Sequence, residues 1–138
     1  MKAETFPDIT MAAAAPVISD APPTVGQLAW RVSQAAARPD EWWHRVKFVP
    51  DERVRVDLDN GLTLIIWAPG FRLPAHDHGG HLQAMAVIAG ELAEVVVGDD
   101  GATVRPLRAN RVRIQAGDRM HEVVNPGDGY AVTLHAYA

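Results

Sequence analysis

From residue 52 onward no pattern lasts long enough to make a helix. Short runs of alternating apolar and polar residues are cut every few positions by Gly, Asn, Asp or Pro. This texture limits the fold more than any other feature. The period-2 runs predict strands near 53–58, 62–68, 83–89, 91–98, 102–107, 111–115, 120–125 and 130–137. "DNG" at 59–61 and "GDDG" at 98–101 are hairpin signals. About eight strands at this spacing imply an all-β sandwich or barrel. The last run, "YAVTLHAY", places Thr133, His135 and Tyr137 on one face and Val132, Leu134 and Ala136 on the other. One apolar face, with hydroxyl, imidazole and phenol on the opposite face, suits the wall of a polar pocket.

The segments before residue 52 read differently. Residues 1–23 combine Pro, Ala and scattered charges, bury little apolar area and are expected to form a flexible arm. Thr24 is the expected N-cap of a helix whose apolar positions are Val25, Leu28, Ala29, Val32 and Ala36, with Pro39 ending the pattern. "PDEWWHRV" reads as a second, shorter helix with Asp40 near its start. The expected organisation is one domain over 24–138, with helices in 24–46 and a β-sandwich in 52–138. Trp30, Trp42 and Trp43 are expected to pack the helices onto it.

Composition narrows the chemistry. The 138 residues are 48% hydrophobic and 22% charged with net charge −4, as in an ordinary soluble domain. Nothing in that balance favours nucleic acid or an anionic membrane as a partner. No apolar run approaches the roughly 18 residues of a membrane span, and the N-terminus is a poor secretory signal, so a cytoplasmic location is expected. The chain has no cysteine. Disulfides, thiolate metal sites and a cysteine nucleophile are therefore excluded, and any metal must be held by nitrogen and oxygen ligands.

Three of the six histidines lie in "HDHGGH". On an extended segment His76 and His78 point the same way while Asp77 points away. A third ligand must come from elsewhere, and His121 in "RMHEVVNPG" is available at a strand start. His81 reads as an exposed loop histidine. Arg105, Arg108, Arg111, Arg113 and Arg119 read as a solvated face, because Arg111 and Arg113 alternate with Val112 and Ile114.

The segment "GFRLPAHDHGGHLQAMAVIAG" resembles the first cupin motif, with Gly70, His76, His78 and Gly90 in register and Gln83 where many cupins carry a glutamate ligand. "LRANRVRIQAGDRMHEVVN" resembles the second motif through His121 and Asn125. Asn110 stands where glycine is common, and asparagine tolerates the left-handed turn expected there. Together with "WAPG", "LRAN" and "AVTLHAY", the ordered set resembles the cysteine dioxygenase (thiol dioxygenase) branch of the cupins over roughly residues 52–137. The fold this implies is a cupin double-stranded β-helix, a jelly-roll sandwich, with a short N-terminal helical segment.

The resemblance implies a single Fe(II) held by His76, His78 and His121, with O2 as co-substrate, and Zn, Ni or Mn as alternative metals in purified protein. Three neutral ligands leave positions for O2 and a bidentate substrate, and a thiolate substrate supplies the missing anionic ligand. Gln83 is then a hydrogen-bonding group beside the metal, with a weak carbonyl ligand or an inward residue bonded to backbone as alternatives. Arg53 corresponds to the arginine that pairs with the substrate carboxylate, for which a guanidinium fork is suited; a solvated strand arginine is the plainer alternative. Thr133, His135 and Tyr137 resemble the family's Ser-His-Tyr line, with Tyr137 near O2 or substrate and His135 orienting it through a hydrogen bond.

Several departures accompany the match. Without cysteine, the thioether crosslink to the active-site tyrosine found in some members cannot form. Asp51 replaces a usual tyrosine and would discourage a second anion nearby. The sequence ends one residue after Tyr137, short of the Ser-Pro-Pro stretch of typical members, so part of the pocket wall is expected to be missing. The leading expectation is an iron enzyme that converts a small carboxylate-bearing thiol (cysteine or 3-mercaptopropionate type) to a sulfinate. The alternatives are a non-catalytic metal-containing sensor cupin and a non-redox Zn-type cupin enzyme. Exposed sheet edges and the N-terminal arm leave a homodimer open.

Overall fold

The structure is a computed structural model and describes residues 21–76, 82–115 and 120–137. Thr24 starts helix α1 (Val25–Ala36) with a capping box: its hydroxyl accepts from the Gln27 amide at 3.1 Å, and the Gln27 side chain accepts from the Thr24 amide at 2.8 Å. Leu28, Val32 and Ala35 form the buried stripe of this helix. Two short 3-10 helices, Pro39–Glu41 and Trp43–Arg45, stand where a second, shorter helix was expected. The chain is already extended at Val46, and so few residues cannot repay the cost of nucleating an α-helix.

Of the three tryptophans expected to pack, Trp42 does so. It is buried, and its Nε1 donates to the Ala35 carbonyl at 2.7 Å. Trp30 and Trp43 are 64% and 43% exposed. Trp30 is two residues from both Leu28 and Val32, which turns it to the opposite side of the helix.

Nine strands follow among the described residues: β1 (Arg53–Asp57), β2 (Leu62–Trp67), β3 (Arg72–His76), β4 (Gln83–Ala89), β5 (Leu92–Gly98), β6 (Gly101–Leu107), β7 (Val112–Gln115), β8 (His121–Val124) and β9 (Ala131–Tyr137). All eight expected strands are present. The addition is β3, a stretch to which no strand was assigned from the sequence. It lies at a sheet edge, where the missing N–H of Pro74 is tolerated. One sheet has the order β1-β2-β9-β4-β7 and the other β3-β8-β5-β6, with antiparallel pairing between neighbouring strands.

The five-stranded sheet is covered on both faces. Leu62, Leu64, Ile66, Val132, Leu134 and Ala136 pack under Leu28, Val32 and Trp42. Ile65, Trp67, Met85 and Val87 face the second sheet, meeting Leu92, Leu107 and Val123. That double burial explains why "LTLIIW" is apolar throughout instead of alternating. Two turns depend on their residue. Asn110 has φ 66°, as its place in the motif suggested. Gly90 has φ 72°, and a Cβ there would stand 2.6 Å from the Tyr130 carbonyl oxygen. Among the described residues no helix is long and apolar enough to cross a membrane.

Candidate active site

Alternation along the strands brings a set of polar side chains into the interior between the sheets. β3 and β8 pair so that His76 is registered against His121, after an irregularity between Leu73 and His76. His76 is placed by its backbone; His78, His81 and Arg119 lie outside the described residues. Among the described residues no three His, Asp or Glu side chains form a metal-binding group. His121 is 4% exposed, and its Nδ1 lies 2.8 Å from Glu94 Oε2.

Glu94 went unnoticed in the sequence, yet it is 3% exposed on the inward face of β5. Burial pushes its carboxyl pKa up. The hydrogen bond and charge of His121, with the charges of Arg105 and Arg113, outweigh that and hold it below the usual value. Both guanidinium groups lie 3.6 Å from Oε1. This corrects the expected solvated arginine face on β7: Arg113 turns inward and is less exposed than Val112 and Ile114.

From Glu94 a line of buried side chains crosses the interior. Gln115 Nε2 donates to Glu94 Oε2 at 2.7 Å. Gln83 Nε2 donates to Gln115 Oε1. His135 Nδ1 lies 3.1 Å from Gln83 Oε1, and His135 Nε2 lies 2.7 Å from Thr133 Oγ1. Trp67 Nε1 donates to Thr133 Oγ1 at 2.9 Å. Gln83 is thus hydrogen-bonded to the side chains of Gln115 and His135.

Tyr137 meets His135 ring to ring, nearly parallel at 9° with centroids 6.1 Å apart, while the His135 nitrogens are engaged by Thr133 and Gln83. Burial raises the Tyr137 phenol above its ordinary value, although the charges of Arg55 and Arg53 pull it down. Arg53 stacks its guanidinium 4.8 Å from the Trp67 ring centroid. Its Nε is buried with no hydrogen-bond partner among the described residues. Burial lowers its pKa, with the Tyr137 charge opposing and that of Arg55 reinforcing the shift. Arg55 pairs with Asp57 at 3.2 Å near the surface. Asp51 is exposed in a left-handed turn (φ 65°), which gives its position a backbone role.

Arg53, Trp67, Gln83, His121, His135 and Tyr137 line one cavity of about 20 Å³, room for roughly one water. A chamber of about 240 Å³ shares Gln115 and His121 with it and adds Glu94, Arg105 and Arg113. Asn125 fastens the floor: its amide nitrogen donates to the Trp67 carbonyl at 3.1 Å and to Gly129 at 2.9 Å, and its oxygen accepts from the Gly127 amide. Glu94, Gln115 and Trp67 escaped the sequence reading. An acid at the inward phase of "LAEVVV" was the available signal.

Comparison with known proteins bears on both fold and family. A family model described as cysteine dioxygenase type I matches residues 24–138. No curated protein matches in sequence. Among solved structures, oxalate oxidase in complex with the substrate analogue glycolate is similar at 22% identity and TM-score 0.53, covering 64% of this chain and 52% of that one. Drosophila melanogaster CENP-C bound to CAL1 is similar at 14% identity and TM-score 0.55, covering 76% and 97%. A cupin superfamily protein from Desulfitobacterium hafniense is similar at 15% identity and TM-score 0.54, covering 65% and 80%. These likenesses show the cupin fold alone, and the chain spans about half the length of the oxalate oxidases it matches.

Proposed function

The chain belongs to the cysteine dioxygenase type I family, and on that premise we propose that it oxidises a small carboxylate-bearing thiol, of the cysteine or 3-mercaptopropionate type, to a sulfinate with O2. The observation that carries the reading is Arg53. Its guanidinium stacks over Trp67, with Nε buried and unpartnered among the described residues, in the cavity that His121 and Tyr137 also line. An unpaired buried donor costs about 1–3 kcal/mol, and a carboxylate is the natural partner of an arginine fork.

His76, His78 and His121 are the residues that would hold Fe(II). The fit rests on His121, a buried imidazole whose Nδ1 faces a carboxylate, the outer partner that metal-ligating histidines usually have. When bound, the ion would supply a redox-active centre at which O2 and a thiolate could meet. The overall step is RS⁻ + O2 → RSO2⁻. Both oxygen atoms end on sulfur, sulfur loses four electrons, O2 gains four, and no outside reductant is needed.

The chain's own residues prepare that step. Arg53 binds and orients the carboxylate. Tyr137, its phenol kept protonated by burial, presents an O–H donor beside the thiol. His135, held by Thr133 and Gln83, keeps the phenol ring in place. The cavity of about 20 Å³ adjoins the chamber of about 240 Å³ through Gln115 and His121.

Arg53→Ala tests the substrate class. Loss of a charged hydrogen bond, about 1.5–3 kcal/mol, should raise KM for carboxylate thiols about 10- to 150-fold and leave cysteamine nearly unaffected. Equal effects on both substrates would remove Arg53 from the site.

A further inference from the structure

The polar line across the interior joins two imidazoles through a single charged group. A carboxylate has no proton to give, so Glu94 Oε2 accepts from both neighbours, the Gln115 amide nitrogen and His121 Nδ1. With the Gln115 nitrogen turned to Glu94, its oxygen faces Gln83 and accepts from that amide. The Gln83 oxygen then faces His135 and accepts from Nδ1. His135 Nε2 is left to accept from the Thr133 hydroxyl, whose oxygen accepts from Trp67 Nε1. Among the bonds between described residues, the donor directions along the line all follow from that one charge.

We infer that Glu94 is a positioning residue that fixes the tautomer of both imidazoles. His121 carries its proton on Nδ1, which puts the ring's lone pair on Nε2. His135 likewise carries its proton on Nδ1, which makes Nε2 the acceptor of Thr133. The inference rests on the dioxygenase reading only in its consequence, that Nε2 is the nitrogen of His121 able to ligate a metal. The tautomers themselves are a property of the metal-free chain. Gln83 and Gln115 then serve as the amide links through which a carboxylate on β5 reaches the imidazole beside Tyr137.

The two arginines make the arrangement reversible by a single change. Glu94 Oε1 has no hydrogen-bond partner among the described residues and lies 3.6 Å from a guanidinium nitrogen of Arg105 and of Arg113. An amide at position 94 would turn its oxygen toward those two cations and its NH2 toward Gln115 and His121. Gln115 and Gln83 would then flip in turn. His121 would accept at Nδ1 and carry its proton on Nε2. His135 would also become protonated on Nε2 and donate to Thr133, whose hydroxyl has the Ile65 carbonyl 3.5 Å away to turn to.

The test is nitrogen-15 NMR of histidine-labelled, metal-free full-length protein at about pH 8, where an unperturbed imidazole is neutral, for wild type and Glu94→Gln. Both imidazoles should be protonated on Nδ1 in wild type and on Nε2 in the variant. Fe(II) affinity, measured by anaerobic equilibrium dialysis, should fall about 10- to 100-fold in the variant, as for loss of other outer partners of metal ligands. A wild-type His121 protonated on Nε2, alone or together with Nδ1, overturns the inference, as do unchanged tautomers in folded Glu94→Gln. Gln115→Met carries the test even if that variant does not fold. It should leave His121 protonated on Nδ1 while His135 becomes a tautomer mixture, and a His135 still fixed as Nδ1–H overturns the relay. Tautomers as stated, without thiol-dependent O2 uptake, would support the relay and reject the dioxygenase reading.

Discussion

On one face of β9, Val132, Leu134 and Ala136 are sealed beneath α1; on the other, Thr133 and His135 are buried as deeply, but into hydrogen bonds. Depth of burial does not separate the two faces. Their partners do. The apolar face is held by area and volume, and tolerates swaps that conserve both. The inward face is held by directed bonds, and each group left unpaired there loses its partner and its hydration together. The same strand therefore supplies apolar packing from one side and a directed hydrogen-bond network from the other.

Substitutions on either side of this division sharpen or break it. The largest effect is expected on the inward side: His121→Ala should abolish stoichiometric metal binding by metal analysis of anaerobically purified protein. Retained stoichiometric metal would give the third ligand to another histidine, with His81 and His135 next in line. Leu134→Ala, on the helix side, should cost about 2–5 kcal/mol in denaturant unfolding while metal content in the folded protein stays unchanged. A matching loss of metal would show that the faces are not separable. Thr133→Val should cost less, about 1–3 kcal/mol, yet should impair turnover more than Leu134→Ala, because Trp67 and His135 both lose a partner.

The acid limb of stability tests the inward charge. The folded-state pKa of Glu94 is below its ordinary value of 4.5, so its contribution is full above about pH 4.5 and is lost as pH falls through the lowered folded value. Glu94→Gln should flatten that limb in acid titrations followed by circular dichroism. Trp30→Ala, at an exposed position, should change stability by no more than about 0.5 kcal/mol.

The strands were legible because alternation and turn residues are local signals, whereas the double burial of β2 emerged only with the packing of α1 and the second sheet on its two faces. The strand Arg72–His76 was hidden by Pro74, which only an edge position makes acceptable. Arg53, Gln83, His121 and the Thr133–His135–Tyr137 line came from spacing and resemblance. The structure brings all six into one neighbourhood. Glu94 and Gln115 had no motif to mark them, since their role depends on which strands lie side by side. The inward turn of Arg113 was missed for the same reason: periodicity gives two faces without saying which is inside.

The most direct measurement of the central claim is O2 consumption by anaerobically prepared, Fe(II)-loaded protein against cysteine and 3-mercaptopropionate, with sulfinate quantified in the same samples. Thiol-dependent uptake matched one to one by sulfinate is the expected result. Zinc-only occupancy in the protein as purified, with no thiol-dependent uptake after Fe(II) loading, would contradict it.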